Sequence, residues 1–332
     1  MFELLGICLS LSGLLVINSL GSVAAALIWR FSARTAESWP TSARAQFLFV
    51  LRVFPPVAAI LCVGTLFLPS YLANEPRHTT EVVTAKLGLL AAASLYAIGI
   101  ALWRGLAACR LTRRLQRDWL LHSERIQLDD TPVPAFRIRH PFPLIAIVGI
   151  FRPKMFIADQ VFQSLTPAEL SAALAHERGH ILAGDNFRRG LLRICHNLLP
   201  FNPSGRALDR AWIETVEMAA DEHAARNGAP VALDLASALV KVARLVPRDT
   251  KPAMFAGAFL IAQEIGGVRR RVLRLTQLAL KGDDLKPERH VSIGRLGACV
   301  FGFFLAVSFL VSIAGLSTPI HSALECIVSM LQ

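Results

Sequence analysis

The amino-acid sequence predicts a mainly α integral membrane protein: four transmembrane helices, with an α+β domain between the third and the fourth. Three observations carry this. The 332 residues are 54% hydrophobic, with a mean hydropathy of +0.48, too apolar for an ordinary soluble domain of this length. The apolar residues are gathered into four long runs rather than spread evenly. Between the third and fourth runs the pattern changes. It turns first to short β-branched and aromatic stretches between turn formers, then to helical periodicity.

Residues 2–29 carry one acid, Glu3, at their edge; residues 46–69 carry only Arg52, residues 83–103 only Lys86, and residues 296–316 no charge. Each run reaches the roughly 20 residues that a helix needs to cross a bilayer core. The first is read as a retained span rather than a cleaved signal peptide. It lacks a basic n-region, and its apolar run exceeds the usual stretch of about 7–15 residues. Arg52 and Lys86 are expected near helix ends, where long side chains snorkel to the headgroups. Pro55-Pro56 predicts a kink in the second span.

Orientation follows from the basic residues. Arg30, Arg34 and Arg44 follow the first span, Arg77 alone follows the second, and Arg104, Arg110, Arg113, Arg114 and Arg117 crowd after the third. Lys286, Arg289 and Arg295 precede the fourth, and no Lys or Arg follows it. One topology satisfies these positions. It has an outside N-terminus, three spans within 1–103, a cytoplasmic domain at 104–294, a fourth span at 295–316 and a short external tail at 317–332. The net charge of +11 is then accounted for by flanks that face anionic lipid, so the bilayer is the expected partner. No aromatic-interleaved basic motif is present, and no direct nucleic-acid binding is expected. The six cysteines, Cys8, Cys62, Cys109, Cys195, Cys299 and Cys326, form no C-x-x-C, which argues against a disulfide framework.

Within the cytoplasmic domain, RLTRRLQRDWLL reads as a basic amphipathic helix leaving the membrane. PVPAFRIRHPFPLIAIVGIFRPKMFIAD reads as a small sheet or a set of hairpins. Thr166-Pro167-Ala168-Glu169 starts a helix: Thr caps, Pro suits the first turn, and Glu169 sits three positions after the cap. Gly184 is placed to end it. Further helices are expected over about 187–199, 207–226, 231–246 and 255–280, with a loop at 246–253.

The first of these helices carries His176-Glu177-Arg178-Gly179-His180. Histidines at i and i+4 project from one helix face and can reach one tetrahedral zinc, and the Glu beside the first can take a proton from zinc-bound water. The plain alternative is a helix with two surface histidines and a solvated Glu. The flanking Leu170, Ala173, Leu174, Ile181 and Leu182 count against it, because burying these polar groups without partners costs several kcal/mol. A catalytic zinc needs a third protein ligand and an open position. Residues 214–225, ETVEMAADEHAA, offer Glu217 and Asp221 on one face, with Glu214 also a neighbour of Glu217. Glu217 as ligand with Asp221 holding a ligand imidazole fits this geometry; a solvated acidic face is the alternative.

H-E-R-G-H followed by E-M-A-A-D resembles the gluzincin membrane peptidases, above all the β-lactam-sensor signal transducers of the BlaR/MecR type, and more distantly the HtpX and CAAX-protease group. The run VGIFRPKMFIA ahead of LTPAELSAALAHERGHILAGD, and the order of three spans, a zinc domain and one more span, extend the likeness over about residues 1–315. The resemblance implies a gluzincin-like zinc peptidase domain holding one Zn2+ per chain on His176, His180 and Glu217. Glu177 is then the general base, and Asp221 orients a ligand histidine. It also implies a multi-pass protein of the bacterial inner (cytoplasmic) membrane that cuts a protein or peptide substrate at the cytoplasmic side. Such a substrate would be a transcriptional repressor or a membrane regulator, in regulated proteolysis or signal transduction, with oligomerisation left open. The antibiotic-sensing members carry a large external penicillin-binding domain after the last span. This chain has about 16 residues there and no S-x-x-K pattern, so β-lactam sensing by this polypeptide is not expected.

The rival reading is a non-enzymatic membrane transducer with a structural metal site. Structural zinc is usually closed by four ligands and rich in Cys; Cys195 has no Cys partner in spacing, and Glu177 has no purpose in such a site. A third reading is a protease of lipid-modified or intramembrane substrates. Asp185 is expected to bond to backbone or pair with an Arg, and His196 is a weaker candidate for stabilising the transition state. His223 is expected to be solvated, and Arg269, Arg270, Arg271 and Arg274 to contact lipid headgroups, with substrate docking behind that reading.

Overall fold

The computed structural model describes residues 2–74, 83–128, 131–199, 203–245 and 265–281, with Gly302. The expected fourth span, the external tail and the loop at 246–253 lie outside the described residues. The architecture is mostly helical, with one small sheet.

Among the described residues, three helices are long and apolar enough to cross a membrane. They are α1 (Phe2–Ala36), α2 (Thr41–Cys62), which runs through a π-helical turn at Val63–Phe67 into α3 (Leu68–Asn74), and α4 (Ala85–Leu121). All three outrun the apolar stretches that predict them. At about 1.5 Å per residue, α4 is roughly 55 Å long, nearly twice the ~30 Å apolar core of a bilayer. Its last turns are the basic segment, so span and stem form one helix. Leu115 and Trp119 of the stem pack on the core of the following domain. In α2 the helix continues through Pro55 and Pro56, both buried, and departs from α geometry only at Val63–Phe67. Gly21 of α1 lets the two helices close: a Cβ there would lie 3.1 Å from Pro55 Cβ.

Arg52 corrects a sequence expectation. It does not snorkel. It is 2% exposed, and its Nε donates to Asp209 Oδ1 at 2.9 Å. The partner sits more than 150 positions away, on the helix Pro203–Ala225, so this apolar helix is packed against the later part of the chain.

The sheet has four short strands: β1 (Ser123–Ile126), β2 (Ala135–Ile138), β3 (Ile145–Val148) and β4 (Lys154–Ala158), in the order β1-β2-β4-β3. The β2–β4 pairing is parallel and the other two are antiparallel. Edge strand β3 is wholly buried. Asn186 Nδ2 donates to the carbonyls of Ile147 and Gly149, and Gln116 Nε2 to those of Val148 and Arg152. Those bonds tie the edge to the stem of α4 and to the helix that follows the histidine motif.

The remaining helices are α5 (Asp159–Ser164), α6 (Pro167–Ala183), α7 (Asp185–Leu198), α8 (Pro203–Ala225), α9 (Ala229–Leu245) and α10 (Ile265–Lys281). They complete two hydrophobic cores. One joins the sheet to α6, α9 and α10 around Phe156, Ile157, Leu235 and Leu275. The other joins α1, α2, α7 and α8 around Leu48, Phe49, Leu192, Leu208 and Trp212. Helix α8 enters both: Leu208, Trp212 and Val216 lie in the second core, Ala224 and Ala225 in the first.

Helix α6 begins as its sequence predicts. Thr166 Oγ1 accepts from the Glu169 amide at 3.3 Å, and the Glu169 carboxylate accepts from the Thr166 amide at 2.8 Å. Pro167 opens the first turn, and Gly184 closes the helix at φ +68°. Glu169 also receives Ser237 Oγ and Lys241 Nζ from α9, at 2.6 and 2.7 Å, which fixes α6 to the sheet-side core. Burial alone would raise the Glu169 pKa, but Lys241, Ser237 and the Thr166 amide outweigh it and hold it at about 2 against an ordinary 4.5. A carboxylate with a depressed pKa stabilises the fold fully above its unfolded value and loses that contribution as pH falls. Glu169→Gln is therefore expected to cost on the order of 1 kcal/mol near neutral pH, the size of a lost cap. The gap to wild type should close as pH falls from about 4.5 toward about 2, read from denaturant unfolding of the detergent-solubilised protein across that range.

Candidate metal centre

Helices α6 and α8 approach closely at Gly179. A Cβ at Gly179 would lie 3.2 Å from Ala220 Cα and 3.2 Å from His223 Cβ, so the glycine inside H-E-R-G-H sets how near α8 can come. At that spacing His176 and His180 of α6 and Glu217 of α8, all buried, bring one ligand atom each within 4.8 Å of one another. The two Nε2 atoms are 3.2 Å apart. His176 Nε2 lies 3.6 Å from Glu217 Oε2, and His180 Nε2 lies 3.6 Å from Oε1. Tetrahedral bonds of about 2.0–2.1 Å put ligand atoms roughly 3.3 Å apart, so the triangle has the size that zinc requires.

Each imidazole is held from behind. His176 Nδ1 lies 3.0 Å from Asp221 Oδ1, and His180 Nδ1 lies 2.7 Å from Asp185 Oδ2. A carboxylate at Nδ1 keeps the proton there and leaves the Nε2 lone pair for a metal. Glu217 Oε2 and Glu177 Oε1 are buried and have no hydrogen-bond partner among the described residues. Two inward lone pairs and the underused Glu217 oxygen in a buried site form a donor set that a divalent cation satisfies.

Two arginines flank the cluster. Arg271 of α10 is buried and grips Asp221 with Nε at 2.9 Å and Nη2 at 2.6 Å, while its Nη1 lies 3.3 Å from Glu217 Oε2. Arg189 of α7 reaches Glu217 Oε1 at 3.3 Å. Burial would raise the Glu217 pKa, but His180, His176 and Arg271 outweigh it and hold the group ionised. Asp221 is likewise depressed despite burial, chiefly by Arg271. Burial and Arg271 push the His176 pKa down, yet the carboxylates of Asp221 and Glu217 beside it prevail and bring it up to about 9. A proton and a metal therefore compete at His176, and metal binding weakens as pH falls. Glu177 moves the other way from Glu217. Burial raises its pKa against the pull of His180 and His176, toward the range of a general base.

The structure corrects several expectations. Arg271 and Arg274 do not meet lipid headgroups: Arg271 is the buried clamp just described, and Arg274 bonds Glu222 and Met218 of α8. Arg270 pairs with Glu214, which stays exposed and outside the ligand set. Asp185 orients His180 in addition to pairing with Arg188 at 3.8 Å. His223 is half-buried against Gly179 rather than solvated. His196 is drawn elsewhere: its Nδ1 lies 3.5 Å from Asp209, the partner of Arg52, and it does not join the two motif histidines.

Residues 113–214 match the family model of Peptidase family M48, whose members are zinc metalloproteases. No curated protein matches the chain. The matched stretch runs from the stem of α4 through the sheet, α6 and α7 into α8. It includes His176, Glu177 and His180 and ends just before Glu217, which the fold brings in independently. The match and the cluster together support a metallopeptidase.

The two carboxylates behind the histidines yield a test. Asp221→Asn and Asp185→Asn are each expected to weaken metal binding 10–100-fold, measured by competition with a chromogenic chelator.

Proposed function

We propose that the chain is a membrane-embedded zinc-dependent endopeptidase that cuts a protein substrate on the cytoplasmic side. The observation that carries this is the buried His176–His180–Glu217 triangle with Glu177 beside it. His176, His180 and Glu217 would hold one zinc per chain, which polarises a peptide carbonyl and acidifies a bound water. Asp221 and Asp185 keep the Nδ1 protons on the two histidines and fix the ring planes. Arg271 keeps Asp221 and Glu217 ionised. Glu177 Oε1, buried and free to accept, takes the proton of the attacking water and returns it to the leaving amine. A purely structural site gives Glu177 no such task.

The wider assignment draws on the sequence. The basic residues after α1 and along the stem of α4 support a cytoplasmic domain, and the uncharged run at 296–316 supports a fourth span. Together with the likeness to BlaR/MecR-type transducers, this supports a protein of the bacterial inner membrane acting in regulated proteolysis. A transcriptional repressor or a membrane-associated regulator is the class of substrate such an arrangement serves.

The deciding measurement is zinc content beside peptidase activity, in chelator-free detergent preparations of wild type, Glu217→Ala and Glu177→Gln. About one zinc per chain is expected in wild type and in Glu177→Gln, with little in Glu217→Ala. Hydrolysis should fall at least 100-fold in Glu177→Gln, the lower end of what a general base contributes. Full activity of Glu177→Gln with its zinc retained would remove the enzyme reading and favour a structural metal.

A further inference from the structure

We infer that the ion pair of buried Arg52 with half-buried Asp209, with the Thr41–Glu222 bond, is a positioning element of the metal centre: it makes the second membrane span determine where Glu217 stands. The inference rests on the zinc reading above and extends it to residues outside the ligand set.

The ligands come from two bodies. His176 and His180 belong to α6, which is fixed to α9 and the sheet by Glu169, Ser237 and Lys241. Glu217 belongs to α8, whose first half is buried with α1, α2 and α7 through Leu208, Trp212 and Val216. The candidate site therefore lies on the seam between a core anchored in the spans and a core built on the sheet.

Helix α8 meets α2 at two pins. Arg52 Nε donates to Asp209 Oδ1 near the start of α8, and Thr41 Oγ1 donates to Glu222 Oε2 near its end. The helices run antiparallel along this contact. From Thr41 to Arg52 is roughly 16 Å of helix, and from Asp209 to Glu222 roughly 20 Å, so the spacings nearly match. Glu217 and Asp221 lie between the pins. A straight helix held at two points moves as a rod, and any tilt or slide of α2 carries Glu217 with it relative to the two histidines. The Arg52 pin is specific in shape as well as charge. Gly205, one turn before Asp209, leaves room for the guanidinium: a Cβ there would meet Arg52 Nη2 at 3.0 Å. Removing one partner leaves a charge buried without compensation, which disrupts the contact more than deleting both.

The test uses the full chain in detergent or nanodiscs, with zinc affinity measured by chelator competition and thermal unfolding recorded with and without zinc. The variants are Arg52→Met, Asp209→Asn, the charge swap Arg52→Asp with Asp209→Arg, and Thr41→Val as the mild lesion at the other pin. Each of the first two is expected to weaken zinc at least tenfold and to shrink the rise in Tm that zinc produces. Thr41→Val should do so by a few-fold, and the swap should restore much of the affinity. A merely structural pair would instead lower Tm equally with and without zinc and leave the affinity of folded protein unchanged; that result overturns the inference. So does a swap that stays as weak as the single variants, including the case in which those variants do not fold. Wild-type protein without zinc sinks the zinc reading itself and this inference with it. Wild type with zinc and indifferent variants sinks the positioning role alone.

Discussion

The constraint on which this structure turns is the burial of charge between α6 and α8. His176, Glu177, Glu217 and Asp221 are all nearly sealed from solvent, and Arg271 is sealed with them. Carboxylates in a low-dielectric interior are costly unless each finds a partner. The fold meets that demand from three directions. Helix α10 supplies Arg271, α7 supplies Arg189 and Asp185, and α6 turns both imidazoles inward. Much of the helical packing around the motif can be understood as delivering these groups. Gly179 follows from the same demand, since only a residue without a side chain lets Glu217 come near enough to be compensated.

Helix α8 carries the other half of this buried charge. It carries Glu217 and Asp221 on one side, faces α2 with Asp209, Trp212 and Val216, and meets α10 through Glu214, Glu222 and Met218. Glu222 accepts from Thr41 of α2 and from Arg274 of α10. Apart from Glu214, which stays exposed, these acids do not form a solvated face: Arg52, Arg271, Arg189 and Arg274 hold them. The helix is placed by side chains from several elements rather than by its loops, and sites built on rigid elements hold their geometry better than sites built on loops.

How much of this was legible in the sequence depended on the separation of the partners. His176 and His180 share a face because four residues make one turn, and Glu217 and Asp221 share one for the same reason, so the chemistry could be read locally. The capping box at Thr166 and the stop at Gly184 were legible too, being four-residue and one-residue signals. Asp185 was half legible. The left-handed turn at Gly184 folds the chain back so that its carboxylate reaches His180, a step that spacing alone does not reveal. Arg52 and Arg271 carried no local signal. Each reads as an arginine at a membrane flank, and only the tertiary fold brings in partners 157 and 50 positions away. His196 misled in the opposite sense. Its place on the helix after the motif suggested proximity to the site, whereas α7 turns it toward Asp209.

These long-range arginines change what the membrane segments are for. A span that only anchors a domain needs no buried cation facing that domain, because an apolar residue of similar size packs at no desolvation cost. Arg52 stands in a helix that is otherwise nearly free of charge, and it is spent on Asp209 rather than on a headgroup. On the other side of α8, α10 clamps Asp221 immediately before the segment that leads toward the uncharged run at 296–316. The helix that carries the third candidate ligand is thus gripped by α2, an apolar helix, and by α10. Its position relative to α6 then depends on how α2 sits against it. The chain places its candidate metal ligands at the seam between the two cores.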